Sequence, residues 1–222
     1  MISIESQQKL LLGISRRLTK SITAYAIGGT AMMFLGFKES TLDIDIVFES
    51  DKDRKIFVQA VKEIGYREMD SVVVYRTKQN QPQMFALGDE RLDLFVVHVI
   101  DFGFSKPMME RAEQIHQFNN NLILKIANPH DLILMKCATD RKKDMDDARR
   151  IIESIKIDWK ILINEAKTQI KLGRNSAAFD LGEFLEKLKY KMKVNIPKEV
   201  LDELFKIVEG QAREKRKSFQ KT

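Results

Sequence analysis

Short apolar runs and strictly alternating runs predict β-strands in the first 130 residues. The predicted strands are 24–27, 43–48, 72–75, 84–87, 92–98 and 122–126. The residues Asn80, Gln81 and Pro82, which are typical of turns, separate the third strand from the fourth. We therefore predict that these two strands pair as a hairpin.

Apolar residues at helical spacing predict helices between the strands and throughout the last third of the chain. In the first part, the predicted helices are 4–20, 30–37, 51–64, 108–117 and 131–139. From Asp158 onward only helical spacing is found, and segments 173–176 and 195–197 interrupt it. This arrangement predicts an α/β (α+β) fold that is followed by a helical C-terminal region.

Charge is distributed unevenly along the chain. The formal net charge is +6, and residues 151–222 hold 16 Lys and Arg against 11 Asp and Glu. Residues 1–150 hold 22 Lys and Arg against 21 Asp and Glu. The basic excess of the C-terminal third favours an anionic partner such as RNA, a nucleotide or an acidic protein. A solvated helical surface would show the same excess, so both interpretations stay open.

The single cysteine and the lack of a long apolar run exclude several classes of protein. Cys137 is the only cysteine, so neither an intrachain disulfide nor a cysteine-based zinc site can form. The longest uncharged apolar run is far shorter than the roughly 20 residues that a membrane-spanning helix needs. The first residues lack the basic and then apolar layout of a signal peptide. We therefore expect a cytoplasmic protein that does not span a membrane.

A glycine turn and an aspartate pair are the residues best suited to chemistry. Gly28 and Gly29 let the backbone turn sharply, and Thr30 follows near a predicted helix start, where N–H groups suit a phosphate. A plain strand-to-helix turn with a threonine near the cap is the alternative. Asp43 and Asp45 alternate with apolar residues, so both carboxylates project from one face, roughly 6–7 Å apart. Such a pair is typical of a site for a hard cation, most often Mg²⁺.

A third aspartate lies in a later apolar strand. Asp93 interrupts this strand, and a buried carboxylate without a partner is costly. A cation shared with Asp43 and Asp45 would supply the partner. A structural salt bridge from Asp93 to Arg91 or Arg76 is the alternative.

The order Gly-Gly-Thr, a spacer and Asp-Ile-Asp resembles the signature of the DNA-polymerase-β-like nucleotidyltransferase superfamily, in which Gly-Gly-Ser/Thr precedes Asp-x-Asp. Serine is frequent where this chain has threonine, and the hydroxyl is kept. The resemblance implies a nucleotidyltransferase-fold mixed sheet flanked by helices, and it makes Asp93 the third acid, nearest the attacking hydroxyl. It further implies that a Mg²⁺ (or Mn²⁺) ion is bound, with Asp43, Asp45 and Asp93 as its ligands. The residues that would hold the phosphates of a nucleoside triphosphate are Gly28, Gly29 and Thr30.

A second block resembles small prokaryotic nucleotidyltransferases, including the toxins of toxin–antitoxin pairs. The segment 129–147 matches their pattern P-x-D-L-x-x-x-K…R-x-K-D-x-x-D. This resemblance implies a catalytic domain over 1–128 and a helical C-terminal region over 129–222. It also implies that Lys136 lies near the phosphates of the nucleotide, whereas a lysine that only extends to solvent is the alternative.

We therefore predict a Mg²⁺-dependent nucleotidyltransferase that moves a nucleoside monophosphate from a triphosphate such as ATP to a hydroxyl acceptor. The basic C-terminal third favours RNA, such as a tRNA end, as the acceptor, and the resemblance adds an antitoxin protein as a partner. A cationic aminoglycoside ranks lower because it would prefer an acidic pocket. Two other hypotheses stay open. One is a catalytically silent module of this fold that binds nucleotide or RNA, and the other is a purely structural role for the three acids.

Overall fold

The computed structural model describes residues 1–76, 78–138 and 141–219. The chain divides into two compact units, Met1–Pro129 and His130–Thr222. The first unit combines strands with helices, whereas the second is built from helices.

Strands and helices follow one another closely in the first unit. Its strands in the described residues are β1 (Ile2–Ser3), β2 (Ile22–Ala26), β3 (Ser40–Thr41), β4 (Ile44–Phe48), β5 (Arg67–Met69), β6 (Gln83–Leu87), β7 (Glu90–Val96), β8 (His98–Val99), β9 (Phe102–Gly103), β10 (Gln114–Phe118) and β11 (Leu122–Ile126). Its helices are α1 (Ile4–Ser15), α2 (Gly28–Phe34), α3 (Asp51–Glu63), α4 (Val72–Tyr75) and α5 (Lys106–Arg111). Serine side chains cap three of these helices, and each accepts a hydrogen bond from the backbone N–H three residues later. The three serines are Ser3, Ser50 and Ser105.

The main sheet is mixed, as predicted. Its strand order is β10-β11-β2-β4-β7-β6-β5, and β8 and β9 continue from β7. The pairs β11–β2 and β4–β7 are parallel, and the other pairs along the sheet are antiparallel. Within the described residues, β1 and β3 form a separate two-stranded sheet. The predicted α/β class and the mixed sheet with helices are thus confirmed.

The parallel pair β4–β7 directs alternate side chains to the two faces of the sheet. Ile44 lies opposite Leu92, and Ile46 lies opposite Leu94. All four side chains are fully buried, and each contributes about 1.5–3 kcal/mol of burial free energy. Because successive side chains of a strand point to opposite faces, this register directs the residues that alternate with them to the other face of the sheet.

The predicted hairpin between 72–75 and 84–87 is wrong. Residues 72–75 form the single helical turn α4, and the antiparallel partners of β6 are β5 and β7. The Asp70 carboxylate accepts the N–H of Val72 at 2.9 Å and so favours a helix start. Val73 is 74% exposed, which shows that this β-branched run does not contribute to a buried sheet face.

The predicted helix 108–117 covers two elements. Helix α5 ends at Arg111, and the strand β10 then pairs with β11 in a register from Gln114 opposite Ile126 to Phe118 opposite Leu122. Pairing with β11 gives the backbone N–H and C=O groups of this segment their hydrogen-bond partners. The segment is therefore a strand, although its apolar residues have helical spacing. The predicted strand 92–98 also ends early, at Val96, because Val97 has a positive φ of 56°.

The second unit is helical, as predicted. Its helices in the described residues are α6 (Pro129–Lys136), which begins at the last residue of the first unit, α7 (Lys142–Ser154), α8 (Trp159–Lys171), α9 (Ala177–Met192) and α10 (Lys198–Phe219). The buried face of α9 contains Leu181, Leu185 and Leu188, and Gly182 of α9 lies next to Leu204 of α10. The predicted end of α6 at Thr139 lies outside the described residues. In the described part of the chain, no helix has both the length and the apolar composition needed to cross a membrane.

Candidate active site

Two neighbouring strands of the sheet bring three carboxylates together. Asp45 on β4 lies directly opposite Asp93 on β7 in the parallel register, and Asp43 immediately precedes β4. One carboxylate oxygen from each of the three lies within 4.8 Å of the others. Asp93 is fully buried, whereas Asp43 and Asp45 are half-buried. The cluster is therefore open on the side of β4.

The glycine turn lies against this cluster. Gly28, the first residue of α2, has a positive φ of 54°, and a Cβ atom there would lie 2.4 Å from the Asp45 Oδ2 atom. A Cβ atom on Gly29 would lie 2.3 Å from the Thr41 Oγ1 atom. A side chain at Gly28 would require the Asp45 carboxylate to move and would also be strained by the positive φ. A side chain at Gly29 would require the Thr41 hydroxyl to move.

Thr30 connects the glycine turn to the strand of the aspartate pair. Its buried Oγ1 atom accepts a hydrogen bond from the Asp45 backbone N–H at 2.8 Å. The hydroxyl thus fixes α2 against β4, a positioning role that the sequence reasoning did not include. Its expected contact with a phosphate stays a prediction.

Arg91 binds two of the three carboxylates. Its Nε atom donates to the Asp93 Oδ1 atom at 3.0 Å, and its Nη2 atom donates to Asp93 Oδ2 at 3.2 Å. The same Nη2 atom also donates to Asp43 Oδ2. Arg91 is one of the two arginines named from the sequence as a salt-bridge partner of Asp93, and the structure contains that salt bridge.

Tyr75 is a site residue that the sequence reasoning missed. Its hydroxyl donates to Asp93 Oδ2 at 2.6 Å, and its ring packs edge-on against Phe95. A strand was predicted for this segment, and that prediction gave no reason to direct the tyrosine to the aspartates. The helical turn α4 is what directs the Tyr75 hydroxyl into the cluster.

The electrostatics of the cluster reflect burial and crowded negative charge. Burial raises the pKa of Asp93, and the hydrogen bonds from Tyr75 and Arg91 oppose this shift without cancelling it. Burial acts to lower the pKa of the Arg91 guanidinium, but Asp93 and Asp43 outweigh it, and its pKa is raised. Burial and the three carboxylates raise the pKa of Tyr75, so its hydroxyl remains protonated and serves as a donor.

Lys136 lies in the second unit, at the end of α6. Its Nζ atom donates to Asp144 Oδ1 at 2.7 Å and to Asp147 Oδ2 at 2.8 Å, and both acids are on α7. Arg141 donates to the other oxygen of Asp144 at 2.7 Å. This buried ion cluster joins α6 to α7, and the sequence did not reveal it. The expected contact of Lys136 with phosphates stays a prediction.

A mixed sheet that presents three acids from adjacent strands beside a glycine turn is the arrangement expected for a phosphoryl- or nucleotidyl-transfer protein. The chain belongs to a family described as a nucleotidyltransferase of unknown function, whose model matches residues 1–191. Membership assigns the chain to the nucleotidyltransferases and leaves its acceptor open.

Solved structures that are similar to this chain include the two that follow, and no curated protein sequence matches it. The first is ANT(2″)-Ia in complex with adenylyl-2″-tobramycin, at 17% identity and a TM-score of 0.45, covering 82% of this chain and 98% of that one. The second is a protein from H. pylori described as a nucleotidyltransferase, at 14% identity and a TM-score of 0.42, covering 96% of each chain. Both TM-scores are below 0.5, and neither structure assigns a substrate to this chain.

Proposed function

We propose that this protein is a Mg²⁺- or Mn²⁺-dependent nucleotidyltransferase that moves a nucleoside monophosphate from a triphosphate to a hydroxyl acceptor. The observation that carries the proposal is the gathering of Asp43, Asp45 and Asp93 in a chain of a nucleotidyltransferase family. The fold pairs β4 with β7 so that Asp45 meets Asp93, although 48 residues separate them in the sequence.

The residues of the cluster fit a divalent cation. Carboxylate oxygens are the ligands that Mg²⁺ and Mn²⁺ prefer, and three of them converge within 4.8 Å. The absence of a side chain at Gly28 keeps the space beside Asp45 open. When bound, such a cation neutralises phosphate charge and lowers the pKa of the attacking hydroxyl.

The protein side chains would position the reacting groups. The acceptor oxygen forms a bond to the α-phosphorus, the bond to pyrophosphate breaks, and the proton of the hydroxyl passes to a base. We assign the base to Asp93, whose two oxygens are oriented by Arg91 and Tyr75. Gly28 and Gly29 would let the backbone approach the phosphates, with Thr30 beside them.

For the acceptor we propose RNA, such as a tRNA end. The support is the excess of 16 Lys and Arg over 11 Asp and Glu in residues 151–222. Exposed basic side chains lie along α10, among them Lys206, Arg213, Arg216 and Lys217. Such a surface binds a phosphate backbone without reading its sequence. A toxin role with an antitoxin partner rests on the resemblance of segment 129–147 alone.

Transfer of labelled nucleotide tests the proposal. Purified protein is incubated with Mg²⁺, each α-³²P-labelled nucleoside triphosphate in turn and total cellular RNA, and the RNA is separated on a gel. We expect one labelled RNA band, which Asp45→Asn abolishes. Asp89→Asn, on the exposed turn between β6 and β7, is the matched control and should leave the band unchanged. Equal labelling by the wild type and Asp45→Asn would refute the proposal.

A catalytically silent binding module is the second candidate, and one observation favours it. Arg91 and Tyr75 already satisfy both oxygens of Asp93 through protein contacts, as in a structural salt bridge. This candidate predicts no labelled acceptor of any kind, together with calorimetric binding of RNA that does not depend on Mg²⁺. Calorimetric binding of nucleotide that requires Mg²⁺ and is lost in Asp45→Asn would argue for the enzyme.

A further inference from the structure

The Arg91 guanidinium binds two of the three carboxylates that would hold a divalent cation. The Nη2 atom of Arg91 donates to Oδ2 of both Asp43 and Asp93, and Nε donates to the other oxygen of Asp93. These carboxylates belong to the cluster whose oxygens lie within 4.8 Å of one another. Arg91 therefore bridges two of the three carboxylates of the cluster.

We propose that Arg91 is an internal counter-cation that competes with the divalent ion for Asp43 and Asp93. The free protein would then hold a divalent ion weakly, and nucleotide would be needed to recruit metal to the site. This inference rests on the proposed function, and it adds a residue that controls when the metal site is filled.

Charge balance gives the direction of the effect. Three carboxylates and one guanidinium carry a formal charge of −2 when all are ionised. One divalent ion would neutralise this charge, and a second would leave an excess of +2 unless triphosphate charge accompanied it. The guanidinium and a divalent ion on the same carboxylates also repel each other, and this repulsion is strong in a partly buried site.

Burial makes the competition effective. The Asp93 side chain is fully buried, and the Asp43 and Arg91 side chains are only 21% and 24% exposed. Water therefore screens the Arg91 charge less than it would at an open surface. The guanidinium of Arg91 contacts Asp43 only through its terminal Nη2 atom. A small rotation of this long side chain would therefore release Asp43 when another cation binds there.

Titration with Mn²⁺, followed by the electron paramagnetic resonance signal of the free ion, tests the inference without any catalytic readout. In the absence of nucleotide, we expect Arg91→Gln to lower the Kd for Mn²⁺ by about tenfold or more relative to the wild type. Arg54→Gln is the matched control, since Arg54 pairs with Asp51 on α3 and its loss removes the same charge from the same unit. Its Kd should equal that of the wild type.

Two further variants make the result specific. Arg91→Gln combined with Asp45→Asn should lose the tight binding, which assigns the ion to the cluster. Arg91→Lys keeps a positive charge on a single ammonium group and should give an affinity between those of the wild type and Arg91→Gln. If circular dichroism shows that Arg91→Gln is unfolded, Arg91→Lys carries the test, and an unchanged Kd in that variant overturns the inference.

The outcomes separate the inference from the proposed function. An Arg91→Gln protein that binds Mn²⁺ as weakly as the wild type, or more weakly, overturns the competition even when nucleotide transfer is active. The absence of Mn²⁺ binding in every variant, with and without nucleoside triphosphate, overturns both proposals. Tight binding in Arg91→Gln that nucleotide no longer strengthens supports the inference.

Discussion

Replacing Lys136 with methionine should destabilise the second unit strongly. The Lys136 side chain is only 12% exposed, and its partners Asp144 and Asp147 are 1% and 8% exposed. Removing one member of a buried ion cluster leaves its partners charged and uncompensated, which costs about 3–5 kcal/mol. Arg141 still pairs with Asp144 in the variant, so we expect a loss near the lower limit, about 3 kcal/mol.

Urea unfolding followed by tryptophan fluorescence measures this loss in the relevant unit. Trp159 is the only tryptophan, and it begins α8 in the second unit. A loss of about 3 kcal/mol, with a slope of about 2 kcal/mol per molar urea, lowers the unfolding midpoint by about 1.5 M. Lys167→Met is the matched control, since Lys167 forms an exposed pair with Glu203 and its loss should cost at most about 1 kcal/mol.

The same experiment separates the two roles of Lys136. If the lysine only contacts phosphates, Lys136→Met leaves the urea midpoint unchanged and raises the KM for nucleotide. If the ion cluster is its main role, the midpoint falls. A double-mutant cycle with Asp144→Asn then gives a coupling free energy of about 1 kcal/mol or more. A midpoint equal to that of the wild type would refute the structural reasoning.

The ion cluster also predicts how the stability of the second unit depends on alkaline pH. Burial lowers the pKa of Lys136, but Asp144 and Asp147 outweigh it, and its pKa in the folded protein is raised. The stabilisation is therefore complete below the pKa of an unfolded lysine, about 10.4, and is lost as the pH rises through the folded-state pKa. The urea midpoint of the wild type should fall over this range more steeply than that of Lys136→Met. Parallel curves would contradict the assignment.

Two substitutions in the first unit test the geometry of the carboxylate cluster. Gly28→Ala should abolish nucleotide transfer, because its Cβ atom meets Asp45. Gly36 also has a positive φ but has open space around it, so Gly36→Ala should keep transfer at a cost of about 1 kcal/mol in stability. Thermal unfolding and the labelling assay check both, and equal transfer by the two variants would contradict the clash. Tyr75→Phe removes one hydrogen bond to Asp93, so kcat should fall by about tenfold while the melting temperature changes little. An unchanged kcat would show that this bond does not matter for transfer.

The aspartate pair is well predicted from the sequence because its determinants are local and periodic, whereas the place of Asp93 as the third acid is implied by the resemblance to a nucleotidyltransferase superfamily. The alternation around Asp43 and Asp45 fixes the face to which they point, and the apolar strand around Asp93 makes an unpaired acid costly. The structure places these residues in adjacent parallel strands. Their roles as metal ligands stay predictions until metal binding is measured.

The parts that the sequence did not predict depend on contacts distant in the chain. The run Val72 to Val74 has strong β-propensity, yet the hydrogen bond from Val72 to Asp70 and the contact of Tyr75 with Asp93 favour a helical turn. Likewise, the ion pairs of Lys136 exist only because α7 lies against α6. Periodicity describes one element at a time and contains no information on such pairings.

The register between β4 and β7 makes activity depend on completed folding. A slip of one residue in β7 would turn Asp93 to the opposite face of the sheet and put Leu92 or Leu94 in the position of its carboxylate. A nascent chain that has not yet formed β7 possesses the glycine turn and the aspartate pair but has only two of the three acids. We therefore expect the chain to be inert during synthesis, and to acquire its chemistry in the same step that closes its sheet.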